Sequence, residues 1–286
     1  MVKLRLLTAI FLLCASCTWA QSDSLTLVNA PWKVDSLEGM VLKSVHFSHH
    51  EYFQSNQFIA VLEIPKCSGH RLEFACESDR TPTSTIAKRH DALAAINGSF
   101  FDMDKHNPVC YLRIQGEELG ENTPGTDTVN RKYYQYGTLI VSGDSVRIAR
   151  TDSNRCWERT LPDSNIMTAG PLLVYHGERQ FVRTDRTFVS RRHPRTAVGI
   201  RSDGTILLFV VDGRSKESEG MSLDELTKTL RWLGCTDVLN MDGGGSTTLY
   251  LKNWPNNGIV NYPIDNGRFD HRGERGVSNA ILVVKN

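Results

Sequence analysis

Asp242 is followed by three glycines and a serine, Asp242-Gly243-Gly244-Gly245-Ser246, between two strand-like runs, Asp237 to Met241 and Thr247 to Leu251. Glycine loses more backbone entropy on folding than any other residue and packs nothing, so a triple glycine inside a β pattern weakens a sheet. The run therefore implies that something approaches the backbone closely at this point. Successive N–H groups in a glycine-rich turn also form a concavity that binds anions, with the Asp242 carboxylate at its edge. The plain alternative is a tight turn or a bulge.

The flanking segments say where this turn lies. Thr196 to Arg201 and Thr205 to Val211 read as strands around Asp203-Gly204, which favours a two-residue hairpin loop. In that register Ser202 faces Thr205 and Arg195 faces Asp212, so the hairpin brings Arg195 beside Asp212-Gly213-Arg214. A helix follows. Ser222 and Glu225 form a capping box, Leu223, Leu226, Leu230 and Leu233 make one apolar face, and Gly234 ends it. Strand, helix, strand in this length predicts a right-handed crossover with parallel strands ending on one edge. Asp212 and Asp242 then stand at neighbouring carboxyl ends, where ligands of such sheets gather.

Leu93 to Ile96, ending at Asn97-Gly98, joins this edge as a third segment, and Arg275 to Val284, preceded by Glu274, supplies a fourth. Phe58 to Ile64, Arg71 to Ala75, Thr138 to Val141, Val146 to Ala149 and Gly170 to Tyr175 are further strands, and Ser84 to Asp91 a short helix. Asp102 to Gln135 is polar and pattern-poor, and reads as a functional loop or lid. The fold class expected is α+β, a mixed twisted β-sheet core with a few helices, including one β-hairpin-helix-strand crossover at the site. No linker divides the chain, so residues 21–286 read as a single domain.

The chemistry follows from these placements. Asp212, Asp242 and Glu274 are three carboxylates at one predicted cleft, and paired carboxylates are the usual means of cleaving a glycosidic bond. Each Asp before Gly also serves simply as a turn cap. Arg195 and Arg214 are suited to clamp a phosphate or carboxylate, or to pair with the aspartates and shape the site. Arg191-Arg192-His193-Pro194 reads as a solvated surface run, with His193 as an acid–base candidate. Asp102-Met103-Asp104 starts like a calcium loop but lacks the later glycine and glutamate of an EF-hand. Asp102 and Asp104 remain candidates for an irregular metal site. Ser99 and Ser246 lack the G-x-S-x-G context of a serine hydrolase.

Lys3 and Arg5 precede an apolar stretch, Leu6 to Leu13, and small residues ending at Ala20. Residues 1–20 therefore read as a secretory signal. The stretch is shorter than the roughly 20 apolar residues that span a bilayer. Cleavage before Cys17, with lipid on that cysteine, is a second route, although Cys14 occupies the usual leucine position. The chain is expected to be exported: periplasmic, outer-surface or secreted, and at a membrane only through a lipid on Cys17. In such a compartment Cys67 and Cys76 are placed to staple a hairpin, and Cys110 with Cys156 is a second candidate pair. A formal charge of +1 offers no basic excess for nucleic acid.

With these blocks assembled, the chain resembles the phosphodiester glycosidase family in its compact, bacterial-type form. The resemblance rests on an ordered set covering roughly Ala95 to the end. It runs from Ala95-Ile96-Asn97-Gly98-Ser99-Phe100-Phe101 through Gly170-Pro171-Leu172-Leu173, Pro194 to Gly199 and Val211-Asp212-Gly213-Arg214. It continues through Gly220-Met221-Ser222-Leu223 and Asp242 to Ser246, and ends at Arg275-Gly276-Val277-Ser278-Asn279-Ala280.

The resemblance implies hydrolysis of the C1–O bond of a sugar-1-phosphodiester. On that reading Asp242 is the nucleophile or water-activating base, and Asp212 orients Arg195 or acts as second carboxylate, with Glu274 a third. Arg195, Arg214, Arg275, Gly243, Gly244, Gly245 and Ser246 hold the phosphate, and Asn97 and Asn279 bond sugar hydroxyls. The partner is a sugar-phosphodiester or glycan; no cofactor is needed, and a divalent cation stays open. Two other classes stay open: a metal-dependent phosphodiesterase cleaving P–O with Asp102, Asp104 and Asp242, and a glycan-binding protein without turnover.

Overall fold

A computed structural model describes residues 23–124, 131–152, 154, 156–180 and 186–286. The expected signal segment and Cys17 lie outside the described residues. In chain order the strands begin with β1 (Lys33–Leu37), β2 (Met40–Tyr52), β3 (Ser55–Ile64), β4 (His70–Pro82), β5 (Ala94–Asn97), β6 (Leu112–Ile114), β7 (Glu117–Gly120) and β8 (Gly137–Ser142). They continue with β9 (Ser145–Arg150), β10 (Asn165–Ala169), β11 (Leu172–Tyr175), β12 (Glu178–Arg179), β13 (Arg195–Arg201), β14 (Ile206–Val211), β15 (Cys235–Asn240), β16 (Leu249–Leu251) and β17 (Gly276–Lys285). The helices include α1 (Thr83–Arg89), α2 (Arg186–Ser190) and α3 (Leu223–Trp232).

The strands form three sheets: an eight-stranded sheet in the order β1-β2-β3-β14-β13-β15-β11-β12, a five-stranded sheet β7-β6-β10-β8-β9, and a four-stranded sheet β16-β5-β17-β4. One apolar cluster draws on all three, through residues such as Leu62, Leu208, Leu239, Ile96, Ile281, Leu139 and Met167. The middle strands of the large sheet are buried on both faces, which explains their unbroken apolar runs. In β14, Ile206, Leu208 and Val210 enter that central cluster. The alternate residues Leu207, Phe209 and Val211 meet Leu223, Leu226 and Leu230 of α3 on the other side. Helix α1 covers the outer face of the small sheet with Ile86 and Ala87. The architecture is the α+β arrangement expected.

The crossover also forms. Ser222 caps α3: its hydroxyl accepts from the Glu225 amide at 3.2 Å, and the Glu225 carboxylate accepts from the Ser222 amide at 2.8 Å. Gly234, at φ +90°, turns the chain out of the helix. Strands β14 and β15 run in the same direction, but β13 lies between them, so each hydrogen-bonded ladder is antiparallel rather than mixed.

Three local expectations change. The β13–β14 loop has three residues rather than two, with Gly204 at φ +83°, so Arg195 pairs with Val211 and not with Asp212. Both still stand at the open end of the hairpin. The stretch Asp102 to Gln135 is not loop throughout: it contributes β6 and β7 to the five-stranded sheet, while residues 125–130 lie outside the described ones. Cys67 and Cys76 are free thiols, as are Cys110, Cys156 and Cys235. Strands β3 and β4 belong to different sheets, and from His70 to Cys76 the extended chain climbs about 20 Å, far beyond disulfide reach.

Candidate active site

The glycine run sits where the eight-stranded and four-stranded sheets meet. As β15 ends, the Met241 amide still bonds the Thr196 carbonyl of the large sheet at 2.8 Å. One residue on, the Asp242 amide bonds the Gly98 carbonyl, just past β5, at 3.1 Å. Asn97 locks this seam. Its Nδ2 donates to the Asp242 carbonyl at 2.7 Å, and its Oδ1 accepts from the Thr196 hydroxyl at 2.7 Å and the Thr248 amide at 3.2 Å.

Each glycine has a different neighbour where a Cβ would stand. At Gly243 that neighbour is the Pro194 carbonyl oxygen, 2.7 Å away; at Gly244, φ +64°, it is Arg214 Nη2, 2.8 Å away. At Gly245 it is the Asp265 carboxylate and the Arg275 guanidinium, with Nη2 at 2.6 Å. The run is therefore a surface on which one backbone carbonyl and two arginines rest. It is not the run of free amides that an anion-binding nest needs, because two successive ones are taken. The Gly243 amide donates to Asp242 Oδ1 at 2.9 Å and the Gly244 amide to the Pro194 carbonyl at 2.9 Å.

The positive charge beside this turn comes from arginine side chains instead. A cavity of about 220 Å³ is lined by Asp242, Gly243, Gly244, Arg195, Arg214 and Arg275, with Phe100, Phe188, His193 and Pro194 among the other walls. Arg195 is buried, its Nε donating to the Met221 carbonyl at 2.9 Å and its Nη2 to the carbonyls of Phe188 and Arg191 at 2.9 and 3.2 Å. Its cation lies 4.9 Å from the Phe188 ring centroid, and burial pulls it down to about 10, still protonated at neutral pH. Arg214 makes no hydrogen bond or ion pair with any described residue, and burial followed by the charge of Arg275 holds it below its ordinary value. Arg275 spends Nε and Nη2 on Asp265 Oδ1, at 2.9 and 2.5 Å, and keeps Nη1.

Among the described residues Asp242 is the one carboxylate lining the cavity. Protein surrounds it except on that side, and this burial raises it to about 6, against the Ser246 hydroxyl, the Gly243 amide, Arg275 and Arg214. Arg195, Arg214 and Arg275 against Asp242 and Asp265 leave one net positive charge, equal and opposite to that of a phosphodiester.

The other residues expected at the site stand behind it. Asp212 is 1% exposed and points away from the cavity, its oxygens accepting from Asn261 Nδ2 at 2.7 Å and the Tyr262 amide at 2.8 Å. Burial raises it to about 7. It anchors the loop that carries Asp265, and does not touch Arg195. Glu274 accepts from the Ser84 amide at 3.0 Å and the Ser84 hydroxyl at 2.6 Å, so it caps α1. Asn279 Oδ1 accepts from the Ser99 amide at 2.7 Å and occupies the space a side chain at Gly98 would need. The side-chain amides of Asn97 and Asn279 are thus engaged within the seam. Ser246 lies under the turn, its hydroxyl close enough to favour an ionised Asp242 yet outside hydrogen-bond geometry.

Asp102 Oδ1 is occupied by the Asp104 and Lys105 amides, both at 2.9 Å. Among the described residues no group of three or more His, Cys, Asp or Glu stands together in metal-binding geometry. Sequence reasoning missed the aromatic walls. Phe188 packs on Tyr133 at 4.5 Å and Phe100 stacks on Tyr134 at 4.8 Å. It also missed Asp265, which a salt-bridge partner for Arg275 could have suggested. Arg192 is no solvated charge: it pairs with Glu225 at 2.7 Å and Glu219 at 3.2 Å, fixing the wall next to His193.

The sequence model for phosphodiester glycosidases matches residues 90–284. Human N-acetylglucosamine-1-phosphodiester alpha-N-acetylglucosaminidase is 33% identical over 71% of this chain and 40% of its own length. The SPbeta prophage-derived protein YomE of Bacillus subtilis strain 168 is 43% identical over 59% of this chain and 26% of its own. The chain thus spans less than half the length of these relatives. In structure it is similar to the catalytic domain of the zebrafish N-acetylglucosamine-1-phosphodiester alpha-N-acetylglucosaminidase, in a form auto-inhibited by its pro-peptide. The TM-score is 0.65 at 17% identity, over 93% of this chain and 94% of that one, which is a likeness of fold.

Proposed function

Because the chain belongs to the phosphodiester glycosidase family, we propose that its cleft hydrolyses the C1–O bond of a sugar-1-phosphodiester, releasing free sugar and a phosphomonoester. The observation that carries this reading is that Arg195 and Arg214 enter the cleft with no carboxylate partner among the described residues, beside a single raised carboxylate, Asp242. A non-bridging phosphate oxygen is the natural partner for each free guanidinium edge. As the C1–O bond breaks, its electron pair stays on the phosphate oxygen, and water supplies the new hydroxyl at C1. The departing monoester has a second pKa of about 6, so it leaves with little need of a proton. One carboxylate therefore suffices, and the arginines stabilise the charge that grows on the leaving group. The product's anomer reports whether Asp242 attacks C1 itself, with retention, or activates water, with inversion.

Export follows the pattern of residues 1–20, and no helix among the described residues is long and apolar enough to cross a membrane. The test is turnover of a panel of sugar-1-phosphodiesters in ¹⁸O water, with and without EDTA, by wild type and Asp242→Asn. The expected result is label in the sugar, an EDTA-insensitive rate, and a loss of at least about 10³-fold in the variant, whose side chain can neither attack nor accept a proton. Label in the phosphate, or full activity in Asp242→Asn, refutes the reading.

A further inference from the structure

Beside Asn240, whose amide is spent on the Gly170 and Met241 carbonyls, the cleft wall carries a titratable ring that this chemistry leaves unused. His193 stands beside Pro194, Arg195 and Arg214. Its Nδ1 is buried without a hydrogen-bond partner among the described residues. The backbone beneath the ring is held tightly. The His193 amide donates to the Met221 carbonyl at 3.2 Å, and the His193 carbonyl accepts from the Met221 amide at 3.0 Å. Gly220, at φ +87°, leaves open the space that a Cβ would take from the His193 carbonyl group. Arg192, the preceding residue, is clamped by Glu225 and Glu219. A histidine kept for structure normally shows a ring hydrogen bond to a carbonyl or carboxylate. Here the backbone is fixed and the ring has no hydrogen bond among the described residues, and a buried polar atom left unpaired in a native fold calls for a reason.

We propose that His193 is a neutral hydrogen-bond donor to the substrate's phosphate, with its proton on Nε2, the ring nitrogen that is not among the buried unpartnered atoms. The proposal rests on the placement of the phosphate against Arg195 and Arg214 argued above. With Nδ1 dry, a bare lone pair there is tolerated better than an N–H without an acceptor, so the proton belongs on the other nitrogen. The groups around the ring agree. Burial, then the charges of Arg195 on its own segment, Arg214 from the facing one and Arg191, hold the imidazole below its ordinary value. Asp242 and Arg275 complete the charged lining. A neutral donor adds a directed contact to a phosphate oxygen without adding a charge to a cleft already matched to a monoanion. No proton moves in the step, which is why this role differs from that of a general acid.

Inorganic phosphate is the probe, titrated by calorimetry into wild type, His193→Ala, His193→Gln and Arg214→Gln, with KM and kcat measured on a sugar-1-phosphodiester. His193→Ala and Arg214→Gln are each expected to weaken phosphate binding about ten- to a hundred-fold, the size of a lost hydrogen bond to a charged group. His193→Ala raises KM more than it lowers kcat, and His193→Gln, which keeps an N–H at similar reach, restores most of the affinity. The ¹⁵N spectrum of the wild-type imidazole, which needs no variant to fold, shows a neutral ring protonated on Nε2. Phosphate affinity indifferent to His193→Ala, or a ring protonated on Nδ1, overturns the proposal. If Arg214→Gln weakens phosphate and His193→Ala does not, the cleft reading stands and only the role of His193 falls. If wild type binds no phosphate, both fall.

Discussion

Alanine at Gly245 and alanine at Gly243 are the same change two residues apart, and the structure predicts opposite consequences. A Cβ at Gly245 would lie 2.6 Å from Arg275 Nη2 and 2.7 Å from its Cζ, and closer still to the Asp265 carboxylate. Restoring an ordinary separation of 3.4 Å moves the guanidinium by 3.4 minus 2.6, about 0.8 Å. Both obstacles are the ends of side chains, and the pair is 25% and 36% exposed, so little stability is at risk: an exposed ion pair is worth about 0–1 kcal/mol. Function is more sensitive, because a misplacement of about 1 Å costs on the order of 100-fold in rate. At Gly243 the obstacle is the Pro194 carbonyl oxygen, 2.7 Å from the Cβ position and already accepting from the Gly244 amide. Backbone cannot step aside cheaply, so that variant should lose about 1–3 kcal/mol, the usual cost of overpacking. For a domain of this size that is on the order of 5 °C in Tm. The assay is thermal melting beside kcat/KM on a sugar-1-phosphodiester. Gly245→Ala should melt within about 2 °C of wild type while its kcat/KM falls about 10- to 100-fold. Wild-type kcat/KM in Gly245→Ala, or an unchanged Tm in Gly243→Ala, would falsify the claim that each glycine is there for the neighbour resting on it.

Three further outcomes follow from the charges. Asp242 must be ionised to act, so kcat/KM should rise with pH through about 6 and level off above it; Arg214→Gln removes a charge that favours ionisation and should move the inflection upward. A flat profile between pH 5 and 7 contradicts this. Asp212 is raised to about 7 from an unfolded value near 3.9, so its contribution to stability is full below about pH 4 and is lost as pH rises through 7. Denaturant melts should therefore show Asp212→Asn gaining on wild type by about 1.4 kcal/mol per pH unit inside that window, and parallel curves would count against it. Glu274→Ala removes the acceptor that caps α1 and should cost about 1 kcal/mol of stability with kcat unchanged; a collapse of kcat in a fully folded variant would return Glu274 to the chemistry.

The legible parts of this fold were the local ones. The Ser222–Glu225 capping box, the apolar face of α3 and the strand patterns around Asp203-Gly204 are set by neighbours within a few residues, and they stand where the sequence places them. Register was legible only to within one residue, because Gly204 serves a three-residue loop as well as a two-residue one. Strand order was not legible: nothing local says that β13 lies between β14 and β15. The wall formed by Phe188 comes from a five-residue helix too short for periodicity to register.

The site shows the same division at the level of single atoms. Asp212-Gly213 and Asp242-Gly243 carry the same signature, each at the end of a strand and each on the same edge. What separates them is Asn261, whose Nδ2 reaches Asp212 across 49 residues of chain and draws that carboxylate behind the cleft. Among the described residues no distant side chain donates to Asp242, which accepts from the adjacent Gly243 amide and keeps its open side. The glycines mislead in a similar way. Read alone, their amides look free to hold an anion. Pro194, about 50 residues earlier in the chain, takes one of them, and Asp242 takes another. The missing Cβ atoms then matter more than the N–H groups, because they let Arg214 and Arg275 lie on the turn. The positive charge of the cleft comes from guanidiniums rather than from backbone amides, and the triple glycine is the floor that lets them converge on Asp242.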